Sequence, residues 1–219
     1  MVKIKEIFTS IQGEGQYVGY KQLFIRFCEC NLGCKYCDTD FSKTEAKEYS
    51  LQEIIDICNQ NNDCHSVSLT GGEPLLSIDF IKEFAPKSPL PIYLETNATL
   101  YDSLKEIIDY VTYIAADIKL PSCTGLEPLW DIHKKFFEIA SKKDLFAKVV
   151  FDSLITDEEI EKFCNLGKEF DTEIILQPKM IGNTSSVDAD FIQSVLNKCL
   201  KLHKKTRVIP QTHKFTGVQ

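Results

Sequence analysis

The sequence predicts an α/β protein, arranged as a partial, TIM-like (β/α)6 barrel. Three observations carry this. Short β-branched or aromatic runs alternate with amphipathic helical runs from residue 22 onward, the rhythm of helical crossovers between parallel strands. The 219 residues leave room for six or seven such units, whereas a full eight-unit barrel takes about 250. Polar, reactive residues also recur just after the strands, where parallel α/β folds build their active face. A doubly wound open sheet is the second architecture this rhythm allows.

Taken in order, "QLFIRF" (Gln22–Phe27) is a short apolar strand. "SLQEIIDICNQ" (Ser50–Gln60) is an amphipathic helix, with Ser50 as N-cap and Glu53 three residues on, a capping box. "HSVSLT" (His65–Thr70) and "PIYLET" (Pro91–Thr96) are strands flanking the helical "SIDFIKEFA" (Ser77–Ala85). Then come helical "YDSLKEIIDY", extended "VTYIAADIKL", helical "LWDIHKKFFEIASKK" and the strand "LFAKVVFD". "TDEEIEKFCNLGKEF" is a helix capped by Thr156 with Glu159 three on. "EIILQP", the helical "DADFIQSVLNKCLKLHK" and a last strand "TRVIPQ" complete the series. No repeat, low-complexity tract or linker interrupts it, so residues 1–219 read as one domain.

Composition limits the function classes. The net charge of −7 offers no basic face for nucleic acid. No apolar run reaches the ~18–20 residues of a membrane span. "MVKIKEIFTSIQ" lacks the apolar core and cleavage site of a secretory signal. A cytoplasmic protein with reduced thiols is therefore expected.

Nine cysteines cannot all pair internally, which counts against a disulfide framework. Cys30, Cys34 and Cys37 fall in a C-x3-C-x2-C loop after the first predicted strand, with Cys28 just before them. The i, i+4, i+7 spacing also fits a buried helix face, but Asn31, Gly33 and "DTD" favour a loop. A structural zinc site would need Cys28 or His65 as fourth ligand. A 4Fe–4S cluster held by three thiolates would leave one iron open, as a catalytic site requires. "TGGEP" (Thr70–Pro74) places two glycines and a carboxylate at the next strand end, where backbone can approach a ligand closely. "SIQGEG" (Ser10–Gly15) and Arg26 form a polar set before the cysteines. Gln12 and Glu14 suit the edges of a heterocycle, and Arg26 a carboxylate.

The cysteine loop followed one unit later by "GGEP" resembles the radical S-adenosylmethionine (SAM) superfamily. The ordered set "SIQGEG", "FIRF", "CNLGCKYCDTDF", "TGGEP", "ETN", "DIKLPS" and "PQTHK", from Ser10 to Lys214, resembles the 7-carboxy-7-deazaguanine synthase family. That resemblance implies a radical SAM type of partial barrel and an enzyme, a lyase. Such an enzyme converts 6-carboxy-5,6,7,8-tetrahydropterin to 7-carboxy-7-deazaguanine on the route to queuosine and other 7-deazapurines. It implies one-electron cleavage of SAM to a 5′-deoxyadenosyl radical, hydrogen abstraction at C6 of the pterin, ring contraction and loss of ammonia. It further implies a 4Fe–4S cluster, SAM, Mg2+, an electron donor such as flavodoxin or ferredoxin, and a homodimer.

Carried over by motif, Cys30, Cys34 and Cys37 would ligate the cluster. Tyr36, Asp38, Gly72, Glu73, Ser122 and Gln177 would contact SAM. Ile11, Gln12, Gly13, Glu14, Arg26, Thr70 and His213 would line the pterin site, and Thr39 would meet Mg2+. Gln219 matches no motif; it is expected near the pterin because a tail so close to a strand end can fold over the rim. The "QGEG" loop is expected to close over the barrel rim and exclude water. One departure from the family is Glu29, preceded by Cys28, where the family often has glycine before the first cysteine. A glycyl-radical enzyme activating protein shares the cysteine loop and is the alternative; a zinc-clipped or electron-transfer module is a non-enzyme rival.

Overall fold

The computed structural model describes residues 1–37 and 42–218. Its elements in chain order are β1 (Val2–Ile11), β2 (Lys21–Phe27), β3 (Lys47–Tyr49), α1 (Leu51–Gln60), β4 (Ser66–Gly71), α2 (Ile78–Phe84) and β5 (Ile92–Thr96). There follow α3 (Tyr101–Ile107), β6 (Val111–Ile118), α4 (Pro121–Thr124), α5 (Trp130–Ala140), β7 (Asp144–Phe151) and α6 (Asp157–Glu169). The chain ends with β8 (Glu173–Pro178), the hairpin β9 (Met180–Ile181) and β10 (Thr184–Ser185), α7 (Ala189–Leu202), β11 (Thr206–Val208) and α8 (His213–Thr216).

The main sheet runs β11-β8-β7-β6-β5-β4-β2-β1-β3. From β2 to β11 the neighbours pair parallel, each crossover carrying helix, while β1 and β3 add antiparallel edges. The two helices read as capping boxes have them: Ser50 with Glu53 and Thr156 with Glu159 exchange both hydrogen bonds. The outer layer buries the apolar stripes of the helices, including Ile54 and Cys58 of α1 and Phe136 and Phe137 of α5.

The sheet curls rather than lying open. Thr212, just beyond β11, donates its backbone N–H to the carbonyl of Gly13, just beyond β1, at 2.8 Å. In a doubly wound sheet these two edges would be farthest apart. Side chains of alternate residues point into the curl. Low in it, Tyr17 packs among Tyr93, Tyr113, Phe146 and His65, with ring centroids 4.6–6.4 Å away. Its hydroxyl donates to Asp144. Higher up, the inward positions become polar: Arg26, Thr70, Glu95, Asp117, Lys148 and Gln177.

Topology corrects the expected position of the "QGEG" loop. β1 runs antiparallel to β2, so the loop between them starts at the N-terminal ends of the parallel strands, opposite the rim. It enters the barrel from below and from the side. β1 itself is an addition to the sequence-based strand list, as are β3 and the β9–β10 hairpin.

Candidate active site

Two adjoining clefts open where the strands end. The first, about 240 Å³, is walled by Cys30, Cys34 and Cys37, by Tyr36 and Gly72, and by the inward residues of β4 to β8. The second, about 550 Å³, lies between β1 and the C-terminal tail and includes Ile11, Gln12, Gly13 and His213. Glu14, Arg26, Thr70, Glu95 and Gln211 belong to both walls, so the clefts form one continuous space.

The cysteine loop leaves β2 through Glu29, whose φ of 65° is left-handed. Its carbonyl then accepts the N–H of Glu73 at 2.8 Å. Gly72 lies so close beneath that a β-carbon there would sit 1.7 Å from the Glu29 oxygen. Only glycine fits that crossing. Burial raises the Cys30 and Cys34 thiols. Leu32 N and Asn97 Nδ2 stand 3.4 and 3.8 Å from the Cys30 sulfur. Among the described residues no three or more His, Cys, Asp or Glu side chains are drawn together as a ready metal site. The three thiols face one cleft without converging. Three soft thiol donors in one loop, with hydrogen-bond donors beside one sulfur, fit a 4Fe–4S cluster with one open iron.

Glu73 does not line the cleft. It is fully buried, and its carboxylate accepts from Leu75 N at 3.0 Å, Thr96 Oγ1 at 2.9 Å and Asn97 N at 2.8 Å. Burial pushes its carboxyl up to about 7 against the pull of those bonds. Ser122 is also set back; its N–H donates to Glu159 at 2.9 Å. The Ser122 hydroxyl is buried with no hydrogen-bond partner among the described residues, as are Asp117 Oδ1 and Gln177 Oε1.

The substrate-side residues form a bonded set. Gln12 Nε2 donates to Gln22 at 2.9 Å and to Glu95 at 2.7 Å. Thr70 donates to the other Glu95 oxygen at 2.9 Å. Arg26 Nε donates to Glu6 at 2.6 Å, and its guanidinium lies over Phe8. Glu14 accepts from Lys148 at 2.6 Å, Gln211 at 2.7 Å and Gln177 at 3.2 Å. Burial alone would raise the Glu14 carboxyl, but the Lys148 ammonium holds it at about 2. His213 packs its ring against Gly13, where a β-carbon would be 2.5 Å from Nδ1. Asp38, Thr39 and Gln219 lie outside the described residues.

Sequence reasoning placed Lys119 in the "DIKLPS" motif without giving it a role, and it missed Lys148. Lys119 donates to Asp117 at 2.8 Å and to the Tyr36 hydroxyl at 3.1 Å. Burial opposes its charge, yet Asp117 keeps its pKa well above the usual lysine value. Lys148 stands 3.4 Å from the same Asp117 oxygen. The signal for Lys148 was a lone cation inside the apolar run "LFAKVVFD"; buried parallel strands carry such a residue only with a partner. His133 is buried. It accepts from Lys119 N through Nε2 at 3.2 Å, so its Nδ1 donates to the Ala98 carbonyl at 3.2 Å. This ties the ends of β5 and β6 together. The remaining cysteines, Cys28, Cys58, Cys64, Cys123, Cys164 and Cys199, are buried thiols.

The sequence pattern of the radical SAM superfamily matches residues 24–166. A protein of Geobacter sulfurreducens named 7-carboxy-7-deazaguanine synthase is 34% identical over 243 residues, covering 98% of this chain and 97% of its own. One of Archaeoglobus fulgidus with the same name is 32% identical over 235 residues, at 98% and 97% coverage. The chain belongs to the 7-carboxy-7-deazaguanine synthase family of radical SAM enzymes. The fold is also shared with the crystal structure of QueE from Escherichia coli, at a TM-score of 0.64 and 20% identity over 97% of this chain and 94% of that one. These relatives give no support to the activating-protein alternative. Family membership implies a 4Fe–4S cluster and SAM. No helix among the described residues is long and apolar enough to cross a membrane.

Proposed function

We propose that this chain converts 6-carboxy-5,6,7,8-tetrahydropterin to 7-carboxy-7-deazaguanine, a ring contraction with loss of ammonia that serves queuosine or related 7-deazapurine synthesis. The observation that carries this reading is the shared wall of the two clefts. Glu14, Arg26, Thr70 and Glu95 face both the thiol-lined space and the space beside β1, so a cofactor and a polar heterocycle fit side by side.

Cys30, Cys34 and Cys37 would hold the cluster, which with SAM supplies the one-electron chemistry that starts the reaction. Tyr36, Gly72 and Gln177 line that space and would bind SAM with Asp38. Glu73 would take part through its backbone, since its side chain is already bonded. The partnerless Ser122 hydroxyl would satisfy a polar group of the cofactor. On the substrate side, Gln12 and Glu14 would read the heterocycle and Arg26 would exchange Glu6 for the substrate carboxylate. Ile11, Gly13, Thr70 and His213 would shape the pocket with Gln219. Thr39 would meet Mg2+ as an oxygen ligand. The tail at Gln211–His213 would flank the substrate and limit water on that side. A single domain spanning residues 1–219, a homodimer, a cytoplasmic setting and a flavodoxin or ferredoxin donor complete the proposal.

The test is anaerobic. Protein reconstituted with iron and sulfide receives dithionite, SAM, Mg2+ and the tetrahydropterin, and products are followed by mass spectrometry. Formation of 7-carboxy-7-deazaguanine is expected. SAM cleavage without that product would keep the superfamily chemistry and overturn the substrate assignment.

A further inference from the structure

Glu14 reaches the cleft floor surrounded by other elements. From β7 comes Lys148, from β8 Gln177, from the tail Gln211 and His213; Asp117 and Lys119 at the end of β6 and Glu95 on β5 complete the charged surroundings. An ionised carboxylate offers about four acceptor sites. Lys148, Gln177 and Gln211 use three. One acceptor site remains for a ligand in the cleft.

We propose that Lys148 is a positioning residue for the substrate: its ammonium, 2.6 Å from Glu14, locks that carboxylate as an acceptor for an N–H edge of the bound heterocycle. The inference rests on the pterin reading above and names the group that makes Glu14 usable. Gln177 and Gln211 are neutral and would orient either protonation state. Lys148 alone among the three donors carries the charge that opposes burial. Without it, desolvation favours the protonated acid. A protonated Glu14 presents a hydrogen where the ligand also presents one, and the pairing is lost. Asp117 keeps Lys119 as its partner at 2.8 Å, so loss of Lys148 falls mainly on Glu14.

The experiment measures equilibrium binding of 6-carboxytetrahydropterin to cluster-reconstituted, SAM-loaded protein without reductant, from pH 6 to pH 8.5. The ratio of variant to wild-type Kd at each pH cancels titration of the ligand. For Lys148→Met the ratio is expected to be roughly tenfold or more at pH 6 and to fall as pH rises, because ionised Glu14 returns. Lys148→Gln, polar and neutral, is expected to behave the same way and serves if the methionine variant does not fold. Lys148→Arg, which restores the charge, is expected to give a pH-independent ratio. In a Glu14→Gln background the pH dependence caused by Lys148→Met should vanish. A ratio near one throughout, or a raised but flat ratio, overturns the positioning role and leaves the pterin reading intact. Wild-type protein that binds no pterin overturns both.

Discussion

Glu29 precedes the first cluster cysteine with a φ of 65°, a conformation that costs a residue with a β-carbon roughly 1 kcal/mol. Its side chain is more than half exposed and pairs with Lys43 at 2.8 Å, an interaction of little worth at the surface. Replacing it by alanine and by glycine removes that pair equally. The difference between the two variants therefore isolates the backbone. Glycine loses more chain entropy on folding, but in this region alanine's steric cost is larger. Glu29→Gly should exceed Glu29→Ala in stability by about 1 kcal/mol, or about 2–4 °C in Tm for a chain of this size. Thermal unfolding of cluster-free, reduced protein reads it directly. An alanine variant that melts at or above the glycine variant would refute the reasoning, and with it the account of why glycine suits this position.

Gly72→Ala drives a β-carbon to within 1.7 Å of the Glu29 carbonyl oxygen, so backbone must move; a loss of about 2 kcal/mol or more is expected in denaturant unfolding, together with reduced cluster loading. Glu73 gives a pH signature. Its folded pKa of about 7 stands above the ordinary 4.5, so the folded state holds an extra proton between those values. Stability of the cluster-free protein should fall as pH rises from about 4.5 through about 7, by on the order of 3 kcal/mol. The Glu73→Gln variant should lack that slope, and a wild-type profile parallel to the variant's would contradict it.

The parallel strands, β2, β4 to β8 and β11, were legible because strands buried on both faces read as short apolar runs, and the two capping boxes fixed helix starts at Ser50 and Thr156. β1 was missed because Lys3, Lys5 and Glu6 thin out the apolar signal; a strand near the sheet edge needs only one buried face. The cleft's polar residues were legible where they closed a strand in an unusual tripeptide, as with Glu95–Asn97 and Asp117–Lys119. Lys148 was hidden mid-strand, where composition says core and only the curl of the sheet turns it toward Glu14. Glu73 shows the reverse. Its motif marked the right loop, but the direction of its side chain depends on Thr96 and Asn97 at the end of the next strand, β5. The position of the "QGEG" loop depended on β1 running antiparallel, which follows only once β1 is recognised.

The bond between Gly13 and Thr212 also sets an order of manufacture. A ribosome delivers the thiols of residues 30–37 well before Thr212, which bonds to Gly13. A nascent chain two hundred residues long has every cluster cysteine and every strand down to β8, yet lacks Gln211 and Thr212. During that interval the flank beside β1 lacks the Gly13–Thr212 bond that later narrows it. Cys37 is exposed even in the folded chain, so iron and sulfide reach the thiol loop from the rim at either stage.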